Sequence, residues 1–162
     1  MNPLYTVLEQ QGIDFERRDH DPVFTVEDVK KIVPPISGTK TKNLFLRDNK
    51  GKRHFLVVTN DEKQVDLKVL HKQTNSTRLS FASSERLLRL LGISPGAVSV
   101  LALINDKAHG VELFFDRDLW GCEPFQCHPL VNTSTLVLSQ NGIEKFVNAT
   151  GHELNLIDVP LR

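Results

Sequence analysis

The sequence predicts an α+β domain built around a curved sheet of mixed or antiparallel strands. Three observations carry this. Apolar residues switch repeatedly between helical spacing and period-two alternation, and the clearest strand segments come in adjacent pairs joined by turn residues. No repeat, low-complexity tract or Gly/Ser-rich linker divides the 162 residues, so one domain over residues 1–162 is expected. At 40% hydrophobic and 25% charged, a chain of this length can bury a sizeable core.

The elements follow in order. Leu4, Val7 and Leu8 recur at helical spacing and Gly12 ends the run, which predicts a short amphipathic helix; Ile13, Phe15 and Arg17 then suggest a strand. Thr25 and Asp28 resemble a capping box, and Val26, Val29, Ile32 and Val33 predict a second helix that stops at Pro34-Pro35. Lys42 to Thr59 reads as a hairpin turning at Asp48-Asn49-Lys50-Gly51. Leu67 to His71 reads as helical, and Ser83-Ser84 followed by Leu87, Leu88, Leu90, Leu91 and Gly92 predicts a well-bounded helix. Ile93-Ser94-Pro95-Gly96 is a turn by composition. Val98 to Ile104 and Val111 to Phe115 then read as a second hairpin around Asn105 to Gly110, Thr135 to Leu138 as a strand, Ile143 to Asn148 as a helix and Leu154 to Val159 as a strand.

Composition excludes several classes. No run of 18 apolar residues is present, so no membrane-spanning helix is expected. The N-terminal MNPLYTVLEQQG has neither a positive nor an apolar leader region, and two cysteines are too few for a disulfide scaffold, so a cytoplasmic protein with reduced thiols is expected. Twenty basic and twenty acidic side chains balance to zero, which argues against broad coating of DNA. The zero conceals a basic middle: residues 40–78 carry +6, and the segments on either side carry −3 each. Such a local field suits phosphate recognition, with Lys40, Lys50, Lys52, Arg53 and Arg78 as the candidate phosphate-binding side chains.

Two segments could carry chemistry. Gly38-Thr39-Lys40-Thr41-Lys42-Asn43 combines a flexible glycine, two hydroxyls and two ammonium groups, which suits an anion or a polarised carbonyl and equally suits a solvated loop; it lacks the P-loop spacing. Cys122-Glu-Pro-Phe-Gln-Cys127-His128-Pro129 places two thiols and an imidazole within a short stretch, but a fourth zinc ligand at a familiar spacing is absent, and adjacent Cys127 and His128 point to opposite faces of an extended chain. Pro129 restricts the backbone of His128 and so fixes where its ring points. The Pro95-Gly96 turn reads as a helix stop, and His20, His54, His71, His109 and His152 read as structural or exposed.

These segments occur in a recognisable order. The runs His20-Asp-Pro-Val-Phe-Thr-Val-Glu27, Thr41-Lys42-Asn43-Leu-Phe-Leu46, Leu79-Ser-Phe-Ala-Ser83, Leu91-Gly-Ile-Ser-Pro-Gly96, Gly110-Val-Glu-Leu-Phe-Phe115 and His128-Pro-Leu-Val-Asn132 resemble the free-standing prolyl-tRNA editing proteins. These are relatives of the editing domain inserted in bacterial prolyl-tRNA synthetase and of the cysteinyl-tRNA(Pro) deacylases. The resemblance runs from about Tyr5 to about Val159.

It implies a mixed, curved, barrel-like central sheet of six or seven strands surrounded by helices, no metal or other cofactor, and trans-editing hydrolysis of alanyl-tRNA(Pro). The implied catalytic positions are Lys42, Asn43 and His128, and the implied pocket is Thr25, Ser80, Gly96, Leu103 and Pro129. A lysine side chain ordinarily titrates at a pH of about 10.4 and is a poor general base near neutrality, so Lys42 suits a cationic role on the terminal phosphate or ester oxygen. The resemblance adds that the terminal 2′-hydroxyl of the tRNA assists the attacking water. The implied partners are aminoacyl-tRNA(Pro) and, beside it, prolyl-tRNA synthetase or an elongation factor, with the protein a monomer or weak homodimer. The chain departs from the family at Val100-Leu101, where a proline is common, and at Cys127 before the His-Pro step, which bears on which amino acid is removed. The alternatives are a deacylase for cysteinyl-tRNA(Pro) or another small aminoacyl-tRNA, a non-catalytic nucleic-acid-binding module, and a metal-dependent hydrolase using Cys122, Cys127 and His128.

Overall fold

The computed structural model describes residues 2–22, 27–28, 31–32 and 34–162. Helix α1 (Pro3–Gln10) starts at Asn2, whose side-chain oxygen accepts from the Leu4 N–H, and buries Leu4 and Leu8. Strand β1 (Phe15–Asp19) follows. Thr25, Val26, Val29 and Val33, which define the second expected helix, lie outside the described residues.

The hairpin of β2 (Thr41–Arg47) and β3 (His54–Asn60) forms as its alternation dictates, with Thr41 opposite Asn60 and Arg47 opposite His54. Its turn is built by Asp48, whose carboxylate accepts from the Lys52 and Arg53 N–H groups, and by Gly51 at φ +70°, where a side chain would be strained. Helix α2 (Leu67–Thr74), the two-residue strand β4 (Ser80–Phe81) and helix α3 (Ser84–Leu91) come next, α3 opening at Ser83 and closing at Gly92 in the left-handed conformation. After β5 (Val111–Asp116) come β6 (Phe125–Cys127), β7 (Ser134–Leu138), helix α4 (Gln140–Thr150) and β8 (Leu154–Ile157).

The second expected hairpin is absent. Val100–Asn105 forms a 3-10 helix, with Ser99 accepting from the Leu101 N–H, and every residue from Val100 to Ile104 is buried. An unbroken apolar run buried on all sides carries no period that separates strand from helix. The following loop is held by Asp106, whose carboxylate accepts from the Gly110 and Val111 N–H groups and meets the His152 ring at 2.8 Å. Strand β5 consequently runs parallel to β3, and β8 runs parallel to β5.

The barrel-like single sheet is also corrected. Among the described residues the strands form two separate sheets, one of three strands in the order β1-β7-β6 and one of five in the order β4-β2-β3-β5-β8. Neither closes. The larger sheet is mixed and covered on both faces: Phe45, Leu56, Val58, Leu113 and Phe115 face the main core with the helices and the small sheet, while Leu44, Leu46, Phe55, Val57 and Phe114 face a second cluster under α2. Burial on both faces explains why β3 reads as a nearly continuous apolar run.

The two sheets meet where the chain enters β2. Thr39 bridges Phe125 in parallel, donating its N–H to the Pro124 carbonyl and accepting from the Gln126 N–H. The Thr41 hydroxyl donates to the Gln126 carbonyl, and the Gln126 side-chain amide donates to the carbonyls of Ile36, Ser37 and Gly38 at 3.0 to 3.2 Å. This seam frames the site.

Candidate active site

A pocket of about 140 Å³ opens at the seam. Its polar walls are His20 at the end of β1, Lys40 and Thr41 at the start of β2, Asp61 just past β3, His128 after β6 and Thr135 on β7. Ile32, Pro35, Ile36, Gln126 and Cys127 complete the lining.

The two imidazoles are held differently. The Nδ1 of His20 lies 2.8 Å from the Asp21 carbonyl, which can only accept, so Nδ1 carries the proton. Its Nε2 therefore receives the Thr135 hydroxyl at 2.9 Å in the neutral ring. The Nδ1 of His128 is buried without a hydrogen-bond partner among the described residues. Burial holds its pKa below the ordinary histidine value, with the backbone of Ser134 opposing and His20 reinforcing that direction. His128 is thus a partly buried ring on which burial disfavours the charged form and which carries an unpartnered polar atom, an arrangement that favours a ligand able to hydrogen-bond it. The His-Pro step is anchored from outside, because the Asn2 side chain donates to the Pro129 carbonyl at 2.9 Å while capping α1.

Lys42 and Asn43 sit on opposite faces of β2. Asn43 shares the Thr41 face, half-buried, with no side-chain hydrogen bond to another described residue. Lys42 shares the Leu44 face, and its ammonium donates to the Lys63 carbonyl rather than lining the pocket. Lys63 is itself fixed: its ammonium meets Asp116 at 2.8 Å and Asp118 at 3.2 Å. A buried carboxylate therefore anchors the loop that receives Lys42 and presents Asp61.

The remaining expected positions are dispersed. Thr25 lies outside the described residues. Ser80 is exposed on β4, paired with Arg47 at the far end of β2, and Gly96 is exposed in the 3-10 turn Pro95–Ala97. Leu103 is 1% exposed inside the main core and is not among the residues that line the seam pocket. Pro129 is buried beside His128. Lys40 lies at the pocket rim, whereas Lys50 and Lys52 are exposed at the hairpin tip, about 20 Å away along β2, and Arg78 is exposed before β4. Arg53 is not a free cation: its guanidinium holds Glu112 through two nitrogens, bonds the carbonyls of Asn75 and Thr74, and covers the Phe55 ring.

The cysteines do not converge. Cys122 is exposed, and Cys127 is buried, with its thiol pushed up to about 12, which makes it inert as a nucleophile. Among the described residues no three His, Cys, Asp or Glu side chains are grouped to hold a metal ion. Sequence reasoning missed His20, Asp61, Gln126 and Thr135 as wall residues. His20 had a signal, since it opens the first run of the resemblance; the other three become neighbours only when the sheets meet.

Residues 20–146 match the aminoacyl-tRNA editing domain family, and the chain belongs to that family. It is 41% identical over 152 residues to the prolyl-tRNA editing protein ProX of Acetoanaerobium sticklandii, with 94% of this chain and 93% of that protein covered. It is 34% identical over 158 residues to the prolyl-tRNA synthetase associated domain-containing protein 1 of Mus musculus, covering 93% of each. The crystal structure of hypothetical protein APE2540 superposes with a TM-score of 0.72 at 19% identity, covering 95% of this chain and 97% of that one, and shares the fold. No helix among the described residues is long and apolar enough to cross a membrane.

Proposed function

We propose that this chain is a free-standing trans-editing hydrolase that cleaves the ester of alanine wrongly attached to tRNA(Pro). The observation that carries the reading is the small pocket at the seam, polar on several sides, in a chain closely related over nearly its whole length to a named prolyl-tRNA editing protein. Ester hydrolysis needs an activated water, a stabilised oxyanion and a held leaving hydroxyl. In this reading Lys42, outside the pocket lining and bonded to the Lys63 carbonyl but close enough for its charge to act on Asp61, supplies positive charge to the terminal phosphate or ester oxygen. Asn43 and backbone N–H groups polarise the carbonyl, and the terminal 2′-hydroxyl of the tRNA assists the water. The exposed Lys50, Lys52 and Arg78 lie far enough from the pocket to meet phosphates of the acceptor stem while the aminoacyl end occupies it. The protein acts in the cytoplasm on aminoacyl-tRNA(Pro), alone or beside prolyl-tRNA synthetase or an elongation factor, as a monomer or weak homodimer.

The test is hydrolysis of alanyl-, cysteinyl-, seryl- and prolyl-tRNA(Pro) under identical conditions, with alanyl-tRNA(Pro) expected to be cleaved fastest. Fastest loss of cysteine would reassign the substrate, and tight binding with every ester intact would make the protein a binding module. A small pocket rejects proline by clash, which is easier than selecting by added contacts of about 1 to 3 kcal/mol each. With His128 as a wall, His128→Ala is expected to lower the alanyl-to-prolyl ratio of kcat/KM by about 10-fold. An unchanged ratio would remove His128 from the wall.

A further inference from the structure

Asp61 is the one carboxylate among the described residues that line the pocket, and neither the fold nor the proposed chemistry yet gives it a task. Its backbone is fixed, because its N–H donates to the Lys40 carbonyl at 3.3 Å across the mouth of the β2/β3 hairpin. Its side chain is half-buried and forms no ion pair and no side-chain hydrogen bond with another described residue. The buried carboxylates Asp48, Asp106 and Asp116, by contrast, are all hydrogen-bonded in place.

We propose that the Asp61 carboxylate binds the protonated α-amino group of the aminoacyl ester, so that the enzyme reads a free amine as well as a small side chain. This rests on the editing reading above. A partly desolvated carboxylate without a partner is costly, and a cation arriving with the substrate relieves that cost. Burial pushes the Asp61 carboxyl above its usual range; Lys40 and Lys42 oppose the shift and Glu62 adds to it. The carboxylate thus lies within the field of two lysines without being neutralised by contact with either. The other polar groups of the pocket complement this assignment: the His20 and Thr135 pair is internally satisfied, and His128 offers an unpartnered ring nitrogen rather than a carboxylate, so Asp61 is the described lining group that selects positive charge. Lys40, at the same rim, suits the opposite end of the ligand, where the terminal phosphates lie.

The experiment compares two substrates that differ only at the group in question: alanyl-tRNA(Pro), and lactyl-tRNA(Pro) made from it by nitrous acid, in which a hydroxyl replaces the amine. Each is assayed with wild-type protein and with Asp61→Asn, which keeps shape and removes charge, all rates being corrected for spontaneous hydrolysis. The expected result is a fall of about 10-fold in kcat/KM for alanyl-tRNA(Pro) in the variant, with lactyl-tRNA(Pro) changed by less than about 2-fold. An equal fall for both substrates would make Asp61 a structural element of the rim, and no fall for either would remove it from the site; both overturn the proposal. Wild-type protein inert on both substrates would instead overturn the editing reading, and the assignment with it. Asp61→Ser, checked by thermal unfolding, provides the same comparison if the asparagine variant misfolds.

Discussion

Lys42→Met is expected to lower kcat/KM for alanyl-tRNA(Pro) by about 100-fold with little effect on stability, the scale seen when a single charge-stabilising donor is removed from a transition state. Methionine keeps the apolar stem on the Leu44 face and deletes the ammonium. That ammonium has three N–H donors and no acceptor; one donor is committed to the Lys63 carbonyl, which leaves two for an oxyanion or phosphate. Losing the bond to Lys63 costs about 1 kcal/mol of folding stability, so urea unfolding separates the structural role from the chemical one. Lys42→Arg is expected to recover part of the rate, since charge returns with altered geometry. Single-turnover hydrolysis of all three proteins is the measurement, and wild-type rates in the methionine variant would exclude Lys42 from the chemistry.

Asp116→Ala is expected to destabilise the protein by about 3 to 5 kcal/mol, the scale for breaking a buried ion pair from one side. Asp116 is 0% exposed. One carboxylate oxygen accepts from the Thr59 hydroxyl at 2.6 Å and from Lys63 at 2.8 Å, and the other accepts from the Asp118 and Val159 N–H groups at 3.2 and 3.4 Å. Alanine leaves those donors without an acceptor and the Lys63 ammonium with only exposed Asp118. Against a typical total of about 5 to 15 kcal/mol this loss is large. The pair also has a pH signature. Burial alone would raise the Asp116 pKa, but the hydrogen bonds from Lys63, Thr59 and Asp118 prevail and hold it below the ordinary range. Its contribution is therefore complete above the unfolded-state value of about 3.9 and is lost as pH falls through the lower folded-state value. Denaturant titrations from pH 6 downward should show a steeper acid loss in wild-type protein than in Asp116→Asn.

Local chemistry made some of this legible. The β2/β3 hairpin is written in its alternation and its Asp48 to Gly51 turn, and α3 in Ser83 and Gly92, because each of those residues acts on its immediate neighbours. Strand β6 has three residues, too few to show a period, and it exists because β7 and Thr39 pair with it. Val98 to Ile104 misled for the opposite reason: every side is buried, so nothing alternates, and Leu103 looked as suitable for a pocket wall as for the core it occupies. At the site, motif order pointed to Lys42, Asn43 and His128. The placement of His20, Asp61 and Thr135 around one opening depends on how two sheets abut, which no local pattern encodes.

The seam has a consequence for how such proteins diverge. The pocket's polar walls come from both sheets, and the join is fastened by few groups, chiefly Thr39, Thr41 and the Gln126 amide. A substitution at Thr39, which fastens the join without lining the pocket, would shift one sheet against the other and resize the opening with every wall residue unchanged. A join of this kind lets the opening change size through a residue beside the pocket, such as Thr39, as well as through the wall itself.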